Sequence, residues 1–216
     1  MNRNVPFVIT ISREIGSGGH TIGQILAEKL NTRYCDKELI RSLEQRFSLS
    51  WEKIEKLKGE KKHWLADFIQ FISPLPTAST LGIQDSEHQS RTEVTTGDIF
   101  MAETEILREL AAEGSCVVAG RSGFFVFKDH PNHLDIFITA PKDRRIRRVM
   151  RKQGLDEASA TALITDIDKA RENYIERFAG TSRYDARNYD LVINAGNSDE
   201  EQIAGMILSY IGFTQQ

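Results

Sequence analysis

A strand-like segment that runs through a glycine-rich turn into a helix constrains the fold of this chain more than any other feature. The β-branched, apolar run from Phe7 to Ile11 predicts a buried strand, and apolar residues recur at helical spacing from Ile22 to Leu30. Between them, the glycines of residues 16–19 let successive backbone N–H groups converge on one point, where the positive end of the helix dipole also lies. This segment predicts a phosphate-binding loop.

The loop departs from the usual phosphate-loop pattern, in which two glycines bracket four residues and a Lys and a Ser or Thr follow. Aligned on that pattern, Gly18 takes the position of the second glycine. Arg13 stands at the first glycine, Gly19 at the lysine, and His20 at the Ser or Thr. Because the lysine is missing, Arg13 is the nearest cation for the β- and γ-phosphates of a nucleotide, and Thr21 could offer a hydroxyl to Mg²⁺. A strand-to-helix turn without phosphate chemistry is the alternative.

The composition is that of an ordinary globular protein, with 216 residues, 40% hydrophobic and 27% charged. A formal net charge of -3 argues against nucleic-acid binding driven by overall charge. No apolar run reaches the roughly 18 residues of a membrane span, and the N-terminal apolar segment is too short for a signal peptide, so the expected location is cytoplasmic. Cys35 and Cys116 are predicted to be buried thiols, and the histidines lack metal-ligand spacing.

Strand patterns alternate with helix patterns along the chain, which predicts a parallel sheet with helices on both faces. A capping box at Ser198 and Glu201 is expected to open the last helix. Residues 50–58 and 61–72 predict two further helices, and residues 73–93, which show no periodicity, predict either a mobile loop on the substrate side or disorder. The predicted strands after the first cover residues 33–35, 116–119, 134–139 and 191–194.

Charged residues follow the predicted strands, where an open α/β sheet binds its ligands. Asp36 follows the second strand and is either a helix N-cap or a site residue. Arg121 follows the third strand beside Gly120, which permits close ligand approach, although a surface arginine is the plain alternative. Arg144 and Arg148 share one face of a basic helix, which suggests an anionic partner rather than a solvated face.

The succession of these motifs resembles the cytidylate kinase-like family, a branch of the phosphate-loop nucleoside monophosphate kinases. The segment ITISREIGSGGHTIGQILAEKL followed by YCDKELI carries most of the resemblance, and CVVAGRSG and NYDLVINAGN agree in order and spacing. The resemblance covers nearly the whole chain. It implies one P-loop NTPase-like domain over residues 1–216, a three-layer α/β sandwich around a five-stranded parallel sheet, with a helical acceptor-binding insertion at 37–113 and a lid at about 142–190.

The resemblance also implies an activity, the transfer of the γ-phosphoryl group of ATP to CMP or dCMP with Mg²⁺ as cofactor. It places Arg144 and Arg148 near the donor nucleotide, and Thr21 at the metal. The implied donor-phosphate residues are Gly16, Ser17, Gly18, Gly19, His20 and Thr21, with Arg13 beside them.

On the acceptor side, the resemblance implies that Arg121 and Arg171 hold the acceptor phosphate and that Asp168 meets its ribose. Asp168 and Arg171 are three residues apart on a predicted helix and could equally be a surface pair. Asp36 and Arg41 complete the predicted substrate residues. Arg13, Arg121 and Arg171 are the residues expected to stabilise the charge of the moving phosphoryl group.

Three departures from the family pattern concern the acceptor, and one is that no counterpart of the family's other cytosine-side arginine is found around Glu103 and Glu105. Ser122 stands where cytidylate kinases have an aspartate that reads cytosine, and Arg41 lies one place before the position of their arginine after the second strand. Two alternatives therefore stay open: a kinase for another small acceptor, and a nucleotide-binding regulatory protein without turnover. Small-molecule nucleotides are the expected partners, with no nucleic acid and no membrane, and a homodimer is possible.

Overall fold

The computed structural model describes residues 1–50, 53–54 and 94–212. The predicted helix at 61–72 and the predicted loop at 73–93 lie outside the described residues, as does most of the helix predicted at 50–58. Within the described ranges, no helix is long and apolar enough to cross a bilayer.

The centre of the fold is a five-stranded sheet in the order β2-β3-β1-β4-β5, and every pairing in it is parallel. The predicted parallel sheet is thereby confirmed. Because β1 lies in the middle, the chain turns from one half of the sheet to the other beside the end of β1, which is where such sheets bind ligands. The strands are β1 (Val8–Arg13), β2 (Arg33–Tyr34), β3 (Cys116–Ala119), β4 (His133–Thr139) and β5 (Leu191–Asn194).

Helices cover both faces of the sheet, as the alternation of patterns predicted. The described helices are α1 (Gly19–Lys29), α2 (Lys37–Phe47), α3 (Thr96–Ala112), α4 (Gly123–Val126), α5 (Lys142–Gln153), α6 (Glu157–Ala179) and α7 (Glu200–Tyr210), with a 3₁₀ turn at Ala186–Asn188. The capping box of α7 was predicted one residue too early. Asp199 and Gln202 form it, while the carbonyl of Ser198 accepts a hydrogen bond from Arg144 (2.7 Å).

Alternation along β1 divides the core between the two faces. Ile9 and Ile11 pack with α1 and α7, whereas Val8 packs with α2 and α3. Cys35 and Cys116 lie in this second cluster as buried thiols, as predicted. The sheet between these two helical layers is the three-layer sandwich expected from the sequence.

A third apolar cluster lies away from the sheet, between the phosphate loop and the antiparallel hairpin of α5 and α6. Ile15 of the loop is buried there against Val149 of α5 and against Ile164 and Ile167 of α6. The loop is therefore packed on the hairpin by apolar contact as well as by the polar contacts described below.

A buried carboxylate interrupts the apolar pattern of β4. Asp135 accepts a hydrogen bond from the hydroxyl of Thr10 (2.5 Å), and its Oδ2 lies 3.3 Å from Nε2 of His133. Burial raises the pKa of Asp135 to about 6, against the opposing effects of Thr10 and His133. The folded protein therefore holds this proton more tightly than the unfolded chain does.

Asp135→Asn should change the pH dependence of stability. Since the pKa of the folded form exceeds the unfolded value of 3.8, the free energy of unfolding of the wild type should fall as pH rises from about 4 to about 6. The asparagine variant should lack this fall and exceed the wild type at pH 7 by up to about 3 kcal/mol. Urea denaturation at several pH values measures the effect, with exposed Asp129→Asn as control. Parallel profiles for wild type and Asp135→Asn would contradict it.

Candidate active site

The phosphate loop connects β1 to α1 through two glycines in the left-handed region. Gly16 has φ +81° and Gly18 has φ +93°, and Gly18 is the N-cap residue of α1. A Cβ on Gly16 would come within 2.8 Å of the carbonyl oxygen of Arg145, so glycine is required there both by the backbone and by the close approach of α5. The predicted strand, glycine loop and helix N-terminus are present in this order.

The side chain of Arg13 occupies the space that the missing lysine would need. A Cβ on Gly19, the residue at the lysine position, would lie 2.6 Å from Cβ and 2.9 Å from Cγ of Arg13. The guanidinium then lies directly against Gly120, which has φ +76°. The strand end thus delivers a cation to the loop where other phosphate loops deliver one from the helix.

Burial lowers the pKa of Arg13, and Arg121 and Arg183 lower it further, whereas Tyr34 and Asp36 raise it. The guanidinium stays protonated at neutral pH. An anion in the loop would relieve this crowding of positive charge.

A pocket opens at the loop and is lined by four cations that come from different parts of the chain. Arg13 comes from β1, Arg148 and Lys152 from α5, and Arg171 from α6. Arg148 also reaches Thr21, with 3.4 Å between Nη2 and the hydroxyl oxygen. The remaining lining residues are Glu14, Ile15, Gly16, Gly18, Gly19, His20 and Thr21. Backbone N–H groups and four cations around one cavity suit a polyphosphate.

Asp36, which follows β2, is buried. It stands at the N-cap position of α2, but its side chain makes no capping hydrogen bond within the described residues. Instead its Oδ1 lies 3.8 Å from Nη2 of Arg121 and its Oδ2 lies 3.8 Å from Nδ1 of His20. Of the two alternatives for Asp36, the geometry favours the site residue.

Arg121 is held toward the sheet edge by its backbone and by a second carboxylate. Its φ is +56°, directly after Gly120, and its Nη1 lies 3.5 Å from Oε1 of Glu103. Glu103 is 1% exposed, and its Oε2 accepts a hydrogen bond from the hydroxyl of Tyr174 (2.8 Å). Two buried carboxylates, Glu103 and Asp36, therefore orient the predicted acceptor arginine.

Glu103 was not predicted as a site residue. The sequence does carry a signal for it, because Glu103 falls on the apolar stripe of α3 together with Ile99, Phe100, Ile106 and Leu107. A carboxylate on a core-facing stripe is rare unless it is paired.

Asp168 braces the phosphate loop. Its Oδ1 accepts a hydrogen bond from the backbone N–H of Ile15 (3.1 Å), and its Oδ2 forms an ion pair with Arg145. Arg145, which sequence reasoning missed as a site residue, also donates to the carbonyl of Ile15 (2.9 Å) and to Oε1 of Glu14 (2.8 Å). The predicted contact of Asp168 with an acceptor ribose stays a prediction.

The other predicted residues divide into those at the pocket and those outside it. His20 lines the pocket, and its Nδ1 lies 2.8 Å from the hydroxyl oxygen of Tyr34. Arg144, by contrast, donates to the carbonyls of Gly196 and Ser198 and so ties α5 to the segment before α7. Arg41 is exposed on α2. Arg144 and Arg41 are thus away from the loop pocket, and their predicted roles are untested.

Comparison with known sequences identifies the family and relatives of this chain. A sequence profile of the cytidylate kinase-like family matches residues 8–197. The cytidylate kinase of Sulfolobus acidocaldarius is 23% identical over 204 residues, which are 94% of this chain and 93% of that protein. A uronate isomerase of Corynebacterium glutamicum is 30% identical over 151 residues; these are 69% of this chain but 29% of that protein's length.

Solved structures share the fold. An uncharacterised protein from Eubacterium ventriosum superposes with a TM-score of 0.66 at 26% identity, covering 96% of this chain and 99% of that one. A shikimate kinase from Bacteroides thetaiotaomicron superposes with a TM-score of 0.53 at 15% identity, covering 95% of this chain and 98% of that one. At 15% identity, the similarity to the shikimate kinase shows a shared fold and nothing about function.

Gly120→Ala should displace Arg13 and weaken polyphosphate binding, because the new Cβ would overlap the guanidinium. Gly154→Ala is the matched control: Gly154 also has a left-handed φ (+67°), but among the described residues no atom lies within 4 Å of its Cβ position. Both variants should lose about 1–2 kcal/mol of stability from backbone strain. Thermal denaturation with and without ATP and Mg²⁺ should show a reduced ligand-induced shift in Gly120→Ala alone. Equal shifts in the two variants would contradict the placement of Arg13.

Proposed function

The chain belongs to the cytidylate kinase-like family and is a nucleoside monophosphate kinase-like phosphotransferase; from this premise we propose that it transfers the γ-phosphoryl group of ATP to CMP or dCMP. The observation that carries the proposal is the position of Arg13. Its side chain fills the lysine space of the loop and extends to Gly120, beside the predicted acceptor arginine, Arg121. Arg13 therefore extends from the loop pocket to the turn that carries the predicted acceptor arginine.

In this proposal the donor phosphates lie in the loop pocket. The backbone N–H groups of the pocket-lining residues 16 and 18–21 and the dipole of α1 bind the β- and γ-phosphates, with Arg148 and Lys152 at the pocket wall. Ser17 does not line the pocket, and its N–H donates to the carbonyl of Glu14 (3.3 Å). Burial and the neighbouring Arg148 lower the pKa of Lys152. An anionic ligand would favour its charged form.

The residues present fit a magnesium ion. Mg²⁺ in phosphotransfer sites takes few protein ligands and completes its shell with phosphate oxygens and waters. Thr21 offers a hydroxyl at the pocket, while Glu14, whose carboxylate also lines it, is held by Arg145 (2.8 Å) and by the hydroxyl of Thr139. When bound, the ion supplies charge neutralisation on the phosphate oxygens.

The protein's part in the transfer is positioning and charge stabilisation. Arg121, oriented by Asp36 and Glu103, holds the acceptor phosphate by its planar fork. Arg13 and Arg171 stabilise the moving phosphoryl group. In this proposal, residues 142–190 form a lid that covers the site and excludes water. Residues 37–113 carry the acceptor-binding insertion. The expected partners of this cytoplasmic enzyme are small nucleotides rather than nucleic acids or membranes.

The acceptor base is the least constrained part of the proposal. CMP or dCMP is supported by the family and by relatives such as the S. acidocaldarius enzyme. Ser122, at the position of the family's cytosine-reading aspartate, is buried, and among the described residues its hydroxyl has no hydrogen-bond partner. This favours, as the second candidate, a kinase for a different small acceptor whose polar group meets that hydroxyl.

A panel of acceptors tests the proposal directly. Purified protein with ATP and Mg²⁺ should release ADP fastest with CMP or dCMP, with kcat/KM at least about tenfold above that for AMP, GMP or UMP, as expected when a buried polar group reads the base. A coupled assay for ADP measures the rates. Preference for another acceptor would support the second candidate. ATP binding without ADP release under any acceptor would instead indicate a regulatory protein.

Arg171→Ala should nearly abolish turnover while the protein stays folded. A guanidinium that stabilises phosphoryl transfer is worth about 10³ to 10⁵ in rate. Lys169→Ala, an exposed position on the same helix, is the control and should keep wild-type kcat. Steady-state kinetics and circular dichroism provide the two measurements. If Arg171→Ala kept more than about a tenth of the wild-type activity, Arg171 would have no part in the mechanism.

A further inference from the structure

Arg183 is a buried arginine that no step of the proposed mechanism uses. It lies in the segment after Gly180, where α6 ends with φ +65° and the chain reverses. Its side chain is 4% exposed, although Tyr184 beside it and Arg187 in the same segment are exposed. Arginine is almost never fully buried unless it is paired.

The position of Arg183 is fixed by several contacts. Its backbone N–H donates to Oε2 of Glu172 (3.0 Å), and its carbonyl accepts a hydrogen bond from the hydroxyl of Tyr189 (2.7 Å). Its guanidinium carbon lies 5.8 Å from the ring centroid of Phe137 and 5.4 Å from that of Tyr184. The guanidinium thus lies beside two aromatic rings that contact each other edge-to-face, with 5.8 Å between their centroids, and this packing together with the backbone hydrogen bonds fixes its orientation.

That orientation directs the guanidinium to the start of the phosphate loop. Its Nη2 donates to the carbonyl of Arg13, the last residue of β1, and Nη1 of Arg171 donates to the same carbonyl (3.3 Å). Arg171 lines the loop pocket. Arg183 therefore lies next to a residue of the pocket and shares an acceptor with it.

The second terminal nitrogen of Arg183 has no hydrogen-bond partner among the described residues, although it is buried. The carboxylate closest to it in an ion pair is Asp168, with 3.6 Å between Nη1 and Oδ1, too long for a hydrogen bond. Asp168 is already engaged by the N–H of Ile15 and by Arg145. Nη1 is thus a buried charged donor that has an ion-pair partner but no hydrogen-bond acceptor in the described part of the chain, and it lies next to Arg171, which lines the loop pocket.

We propose that Arg183 is a further catalytic residue of this site, whose Nη1, which has no hydrogen-bond acceptor among the described residues, binds an equatorial oxygen of the transferred phosphoryl group. The inference rests on the proposed function. In the step, an oxygen of the acceptor phosphate forms a bond to the γ-phosphorus as the bond to the β–γ bridging oxygen breaks, and that electron pair leaves with ADP. Arg183 keeps its proton and stabilises the spread negative charge by hydrogen bonding.

The experiment compares Arg183→Ala with Arg187→Ala. Arg187 is the matched control because it lies four residues on in the same segment, with its side chain 89% exposed and paired with Asp185. With ATP, Mg²⁺ and the best acceptor, Arg183→Ala should lose about 10³-fold in kcat, with a much smaller change in the KM for ATP. Arg187→Ala should keep wild-type kcat.

Added guanidinium ion separates a catalytic role from a structural one. At non-denaturing concentrations it should restore part of the kcat of Arg183→Ala, because it can occupy the vacated position, and should not raise that of Arg187→Ala. A kcat of Arg183→Ala within threefold of wild type, or a loss that guanidinium does not restore, would overturn the proposal.

Two further measurements cover the remaining outcomes. If Arg183→Ala does not fold, Arg183→Lys replaces it in the test: lysine keeps the buried charge but loses the planar fork, so kcat should fall at least tenfold, and near-wild-type kcat overturns the proposal. If the wild type turns over no acceptor, the proposed function fails, and thermal stabilisation by inorganic tripolyphosphate tests Arg183 by itself. If tripolyphosphate raises the melting temperature of Arg187→Ala but not that of Arg183→Ala, the result supports contact between Arg183 and the phosphate. Equal increases in the two variants would overturn the proposal.

Discussion

Positive charge gathered at the carboxyl end of β1 is the constraint on which the rest of the site depends. Guanidinium groups from β1, from the turn after β3, and from α5, α6 and the segment after α6 meet there, although the chain as a whole has a net charge of -3. Like charges in a half-buried region repel unless each is compensated. Carboxylates near the loop are each engaged by at least one of these groups; they include Glu14, Asp36, Glu103, Asp168 and Glu200.

These carboxylates also determine which part of the site is rigid. Arg145 donates a hydrogen bond to the carbonyl of Ile15, and Asp168 accepts one from its N–H. The side chain of Ile15 is buried against α5 and α6. On the acceptor side, Arg121 is oriented by two carboxylates that belong to different helices. The loop therefore keeps its shape through contacts from elements distant in sequence, and α5 and α6 are mechanically connected to it.

The sequence predicted the fold well because the relevant signals are local. Glycines in the loop, β-branched runs and helical spacing need no tertiary information, and they indicated the parallel sheet and the bounds of its strands closely. The charged residues were harder. Arg144 and Arg145 are neighbours in one basic run, and only the packing of α5 shows that Arg145 turns to the loop while Arg144 turns to the carbonyls before α7. In the sequence, Glu103 only interrupts an apolar stripe. Its pairing with Arg121 and Tyr174 could not be predicted, because these partners come from other elements of the fold.

The overlap between Arg13 and position 19 bears on how such loops diverge. Lysine introduced at position 19 alone would collide with Arg13, and glycine introduced at position 13 alone would leave the loop without a cation from the strand end. The two positions are therefore sterically coupled, because a side chain at position 19 needs a smaller residue than arginine at position 13. A search pattern that requires the lysine on the helix would miss chains of this kind, whereas a pattern that allows the cation at the strand end when the first helical residue is glycine would find them.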